Sequence, residues 1–364
     1  MNGGMNRRLR SRRGLMVMAA VAVVAFIGRM LWANGLFSSV PTGFFGTCKV
    51  AARLPGVEDI DSANGVTFVS VASARGPDPR DGIYVLSDSG GLTRLSGAPR
   101  DFHPRGIGLY RSPDGTGVFL FAVNRHAGRS VAGAGAADNQ IRYSIDSFEV
   151  TNPTTGPALV AQGTIEGGLL TDPQDVAAAG PGAFYVSNGT GGSSFVRSLA
   201  AYGVLPGSNI LYFNGTAFRV AADDLYGAGG LILTPDGGHL LVASLTSRSL
   251  KSLTREPFSG NLTEADSLTL PAAPEKITLD STGEIWAAGH ASLFSVRDFA
   301  ADAGQRAPSQ VFRVSLASGV PQQAEQVYGN DGNEIAGAGV AAIAGNQLLI
   351  GSSLDRKLLA CTQK

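Results

Sequence analysis

Three carboxylates fall within four positions in Gly56-Val57-Glu58-Asp59-Ile60-Asp61, just ahead of the strand-like run Val66-Thr67-Phe68-Val69-Ser70-Val71. Like charges this close repel one another unless a cation lies between them. A hard divalent ion such as calcium, which takes about six to eight oxygens from carboxylates, amides and backbone carbonyls, suits such donors. A solvated acidic turn is the competing reading of the hexapeptide alone. The chemistry therefore depends on which other polar groups the chain brings to these acids.

One pattern recurs: a glycine-containing turn, a short run of β-favouring residues, then a small polar ending. It occurs at 65–71, 117–124, 182–188, 238–244, 283–289 and 345–352. Six copies spaced about 40 to 65 residues apart match four-stranded propeller blades, and their near-continuous apolar character fits strands packed on both faces. Each follows a segment able to form a blade's innermost strand: Glu58-Asp59-Ile60, Arg105-Gly106-Ile107, Gln174-Asp175-Val176, Gly229-Gly230-Leu231, Glu275-Lys276-Ile277 and 337–340. Innermost strands line the central channel, so polar residues far apart in sequence would converge there. Turn chemistry is strong at Ser112-Pro113-Asp114-Gly115 and Thr234-Pro235-Asp236-Gly237. Stretches 127–138 and 298–308 read as loops, and a helix is possible at 199–202. The pattern predicts an all-β, six-bladed β-propeller over residues 41–364, preceded over 1–40 by a basic tail and a hydrophobic signal-anchor helix.

Composition agrees. The 364 residues include 49 glycines and 18 prolines with only 16% charged residues, which suits short strands and tight turns. A formal net charge of +0 removes the electrostatic case for nucleic-acid binding. At the N-terminus, Arg7, Arg8, Arg10, Arg12 and Arg13 precede an apolar run over 14–27 that resumes after Arg29. No small-x-small cleavage site follows, which favours a retained anchor over a cleaved signal peptide, with residues 41–364 membrane-anchored on the extracytoplasmic side, or secreted. Cys48 and Cys361 lack zinc-site spacing and can pair in an oxidising compartment. Asn188, Asn214 and Asn261 head glycosylation sequons.

Laid out in this way, the chain resembles the paraoxonase/arylesterase family, six-bladed propellers related more distantly to strictosidine synthase and the gluconolactonases. The resemblance spans about residues 45 to 363 and rests on Gly56-Val57-Glu58-Asp59-Ile60, Asn124, and the segments 170–180, 228–237 and 345–361. It implies a disulfide, Cys48 to Cys361, tying the first blade to the C-terminal strand. It also implies two channel calcium ions. The structural ion would be held by Asp59, the Ile107 carbonyl and Asp175. The catalytic ion's positions carry Glu58, Gln174, Gly229, Glu275 and Lys276, and there the chain departs from the family. Gly229 offers no side chain, and an ammonium cannot ligate a cation. Lys276 is therefore expected to stand in for that ion between Glu58 and Glu275, or else to point out of the channel.

The family's proton-shuttle histidines correspond to Arg105 and Arg125. Arginine stays protonated and cannot act as a base, but it can stabilise an oxyanion. Strand alternation would put His103 on the face of Arg105, where it could substitute; His126 lies one position from Arg125, and His290 falls where the family has a channel histidine. Three functions remain open: a membrane-anchored hydrolase of small esters or lactones, a non-catalytic propeller that binds or assembles membrane proteins, and a calcium-independent, strictosidine-synthase-like enzyme driven by an acid such as Glu275. There is no Gly-x-Ser-x-Gly elbow, His-Glu-x-x-His pair or phosphate-binding loop.

Overall fold

The apolar runs that follow the glycine turns become strands sealed on both faces. In 184–189, 239–244 and 285–290 nearly every residue is buried, and each run lies second from the inner edge of an antiparallel sheet of four strands, or of five for 285–290. A computed structural model describes residues 3–87, 90–114, 117–126, 141–152, 155–189 and 194–363. Six such sheets stand radially. Their inner strands are Val57–Ala63, Pro104–Arg111, Pro173–Ala178, Ala228–Leu233, Ala273–Leu279 and Val340–Ala344. Each inner strand touches the next, and the sixth returns to the first, so the chain is a six-bladed β-propeller.

The core lies between blades. Phe68 and Ile83 of blade 1 pack on Leu120 and Phe148 of blade 2, and Leu241 and Leu250 of blade 4 on Ile285 and Phe312 of blade 5. Sealing each such side chain contributes about 1.5–3 kcal/mol, which no single sheet could gain alone.

The ring closes in blade 6, whose outer strand, Gly46–Arg53, comes from the opposite end of the chain and pairs with Lys357–Gln363. Cys48 stands opposite Cys361 in that register and is bonded to it. Cys48 thus belongs to the last blade and not, as expected, to the first. The preceding pair, Gly43–Phe44, adds a fifth strand to blade 5.

Helix α1 spans Gly3–Ala33, and its part Gly14–Ala33 is long and apolar enough to cross a membrane. Arg29 does not interrupt it. The guanidinium lies over the rings of Trp32 and Tyr226 and donates to the Thr246 carbonyl, holding the end of α1 against the propeller. Asn34, fully buried, donates to Tyr202 O and accepts from Arg297. Two short helices flank this junction: α2, Ser194–Ala201, which starts earlier than expected, and α3, Leu293–Ala301, where a loop was expected from 298 onward. The loop expected over 127–138 lies outside the described residues.

Candidate functional site

Inner strands enter the channel through β-bulges. The register shifts between Val57 and Asp59, Pro104 and Ile107, Pro173 and Asp175, Ala228 and Leu231, and Pro274 and Lys276. A bulge breaks alternation and re-aims one side chain, so adjacent residues serve two levels of the channel. Glu58, Gln174 and Glu275 stand at the entrance, while their successors Asp59, Asp175 and Lys276 meet at the axis.

At the axis every polar atom has an assigned partner. Asp59 accepts from Ile60 N and, across the blade boundary, from Ile107 N, both at 2.9 Å. Asp175 accepts from Val176 N at 2.9 Å and from Leu231 N of blade 4 at 2.8 Å. The Lys276 ammonium lies 3.2 Å from Asp175 and 3.8 Å from Asp59, and donates to the Gln174 carbonyl at 2.8 Å. All three side chains are 5% exposed or less. Burial pushes the Asp59 carboxyl well above the usual aspartate range, and neighbouring Asp175 pushes it further. Burial alone would depress Lys276, but Asp175 and Asp59 outweigh it and hold the ammonium charged. Gly106 and Gly230 make the convergence possible, since a Cβ at either would overlap Asp175 or the backbone of Lys276.

The entrance is cationic and acidic together. Arg105 donates to Asp172 at 3.0 Å, to the Pro173 carbonyl at 3.1 Å and to Gln174 Oε1 at 2.6 Å, and Tyr143 donates to the same Asp172 oxygen. His290, 4% exposed at the end of blade 5's second strand, meets Glu275 through Nε2 at 2.7 Å. Burial opposes charge on Glu275, but the His290 contact and the nearby cations outweigh it, leaving its pKa below the usual value. The Glu275 carboxylate packs where Gly339 lacks a side chain. Glu58 is half-buried. Desolvation raises its pKa to about 7, with Glu275 adding to the rise and Arg105, Lys276 and Arg125 offsetting part of it. Below the axial plug the channel opens again as a cavity of about 910 Å³, on the side away from Glu275 and His290, reaching past Asp61 and Thr278.

The structure therefore brings Glu58, Arg105, Gln174, Glu275 and His290 to one mouth, with Arg125 close enough to act on Glu58. It moves Lys276 elsewhere. The ammonium pairs with Asp59 and Asp175, not with Glu58 and Glu275. Ile107 offers the site its N–H, as a donor to Asp59, where a carbonyl ligand was expected. His103 is also diverted, because the bulge after Pro104 spoils the alternation that aligned it with Arg105; it bonds Asp81 at 2.7 Å and Asp101 at 3.2 Å. His126 bonds Asp101 and Ser144. Asn188 is 1% exposed, accepting from Thr171 N and donating to Leu169 O, and has no room for a glycan. Asn214 and Asn261 are exposed. Asp172 and Tyr143 were not foreseen, though Asp172 stands only two residues from Gln174.

The donors do not suit calcium. At the axis an ammonium occupies the place between the two aspartates, and each carboxylate oxygen already accepts a backbone N–H. At the entrance Gln174 is taken by Arg105 and Glu275 by His290. Among the described residues no group of three or more His, Cys, Asp or Glu side chains could hold a metal ion.

The Asp81 hydrogen bond raises the His103 pKa, aided by Asp101 and opposed by burial. A group whose folded pKa is raised contributes stability that is complete below its unfolded pKa, about 6.5, and lost as pH climbs through the folded value. His103→Gln should therefore lower the thermal midpoint in mildly acidic buffer and much less at alkaline pH. Equal losses at both would contradict an ionic role.

Comparison with known proteins gives one family and one fold. A family model described as Arylesterase matches residues 94–362. Serum paraoxonase/arylesterase 2 of Rattus norvegicus is 27% identical over 324 residues, covering 83% of this chain and 85% of its own. The Homo sapiens form is 27% identical over 319 residues, with the same coverage. Serum paraoxonase/arylesterase 1 of Rattus norvegicus is 27% identical, covering 88% of this chain and 83% of its own. Among solved structures, a luciferin-regenerating enzyme superposes with TM-score 0.52 at 9% identity over 87% of this chain and 95% of its own. A gluconolactonase of Xanthomonas campestris does so with TM-score 0.50 at 12% identity over 90% and 96%.

Proposed function

The chain belongs to the arylesterase family, and from that premise we propose that it hydrolyses small esters or lactones at the channel mouth. The observation that carries this reading is the meeting of Glu58, whose pKa is about 7, with the cations Arg105 and Arg125 and the Glu275–His290 pair. A carboxylate that titrates near neutrality is matched to accept a proton from water as that water attacks a carbonyl. The guanidinium charges oppose the negative charge developing on the carbonyl oxygen. Glu275, held ionised by His290, keeps a second negative charge near Glu58 and so sustains its affinity for the proton. No step passes through a metal ion.

We place the reaction on the extracytoplasmic side of a membrane crossed by α1, where the Cys48–Cys361 bond is stable. The partners are then the bilayer and a small-molecule ester or lactone. The test is turnover of phenyl acetate and of a simple δ-lactone by the full-length protein. Saturable hydrolysis of either supports the reading. A folded protein inert toward both would favour a binding or assembly role, to which the replacement of shuttle histidines by Arg105 and Arg125 also leans.

A further inference from the structure

We infer that the Lys276 ammonium is a permanent internal cation that holds the propeller axis together in place of a bound calcium ion, so that this fold needs no metal. The two aspartates come from blades 1 and 3, and each also bonds a backbone N–H of the following blade, Ile107 or Leu231. Lys276 comes from blade 5 and reaches both carboxylates and the Gln174 carbonyl. Its backbone N–H bonds the Gly339 carbonyl of blade 6 at 3.0 Å. The plug thus ties together all six blades through atoms of the chain itself.

An ion in this place would have to displace an ammonium that is covalently tethered and 4% exposed, and would find each carboxylate oxygen already hydrogen-bonded. The ammonium also sets a positive charge against two neighbouring carboxyls, where burial and the proximity of Asp175 push the Asp59 pKa well above its usual range. Removing one partner of such a buried set leaves the others uncompensated, whereas neutralising all members together removes the conflict.

Unfolding midpoints and metal content of the full-length protein test this, independently of any turnover. The wild type should carry no stoichiometric calcium and should melt at the same temperature in excess EGTA and in millimolar calcium. One tightly retained ion per chain, or a midpoint that falls on chelation, would overturn the inference. Lys276→Met should lower the midpoint by about 5–10 °C; a variant as stable as wild type would count against it. If Lys276→Met does not fold, the triple variant Lys276→Met/Asp59→Asn/Asp175→Asn decides. Its recovery supports the charge argument, and equal failure refutes it. Loss of the proposed hydrolysis with these midpoints unchanged would strike the functional reading alone.

Discussion

Glu58→Gln lowers kcat/KM for ester or lactone hydrolysis by about 10²–10⁴-fold, the usual contribution of a positioned proton acceptor. An amide keeps the shape and hydrogen-bonding reach of the side chain but cannot take the proton. The pH profile separates this effect from damage to the fold. As a base, Glu58 acts when ionised, so wild-type kcat/KM should rise with pH and level off above about 7, and the residual activity of the variant should lack that rise. Stability should respond in the opposite sense. The folded state holds the Glu58 proton more tightly than the unfolded chain, so wild-type stability falls as pH rises from the ordinary glutamate value of 4.5 toward about 7. In alkaline buffer the variant, free of that cost, should melt no lower than wild type. An active variant with an unchanged pH profile would remove Glu58 from the reaction.

The ring of blades was legible because its signal is local. Each second strand is an apolar run bounded by a glycine turn, and packing on both faces demands that pattern whatever the distant neighbours are. The entrance residues were legible for a related reason, since Glu58, Gln174 and Glu275 open inner strands whose position in the repeat was already set. What alternation could not supply was the level at which each side chain sits. The shift between Pro274 and Lys276 turns the lysine to the axis, and there Lys276 N bonds the Gly339 carbonyl of a neighbouring blade, a contact that no local pattern announces. The same rule sets His103 beside Arg105, whereas it bonds Asp81, which precedes the third strand of another blade.

Other features were present in the sequence but read for a different purpose. Gly106, Gly230 and Gly339 belong to segments that the repeat marks as innermost strands, and each lies where a Cβ would strike a residue of the axial or entrance set. Their absence of side chain is what lets large polar groups from other blades share so narrow a space. The start of α3 was signalled by Ser292, whose hydroxyl accepts from Ser295 N at 3.3 Å and caps the first turn.

Removing the one covalent closure is expected to cost as much as the larger single packing changes. The double variant Cys48→Ala/Cys361→Ala should lose about 2–5 kcal/mol of unfolding free energy. The two cysteines are 313 positions apart, so the bond constrains almost the whole unfolded chain, and the entropy of closing so long a loop is large. In the folded state the strand bearing Cys48 is held to blade 6 by one neighbour, Lys357–Gln363, and has no strand beyond it. Without the bond it can peel away, leaving that neighbour as a bare edge able to pair with a second chain. Denaturant midpoints with and without reductant give the measurement: reduction should lower the wild-type midpoint to that of the variant and leave the variant unmoved. The site should survive the change, because Glu58, Arg105, Gln174, Glu275 and His290 come from blades 1, 2, 3 and 5, and turnover per folded molecule should hold. Coincident wild-type midpoints in both conditions would show that strand pairing alone closes the ring.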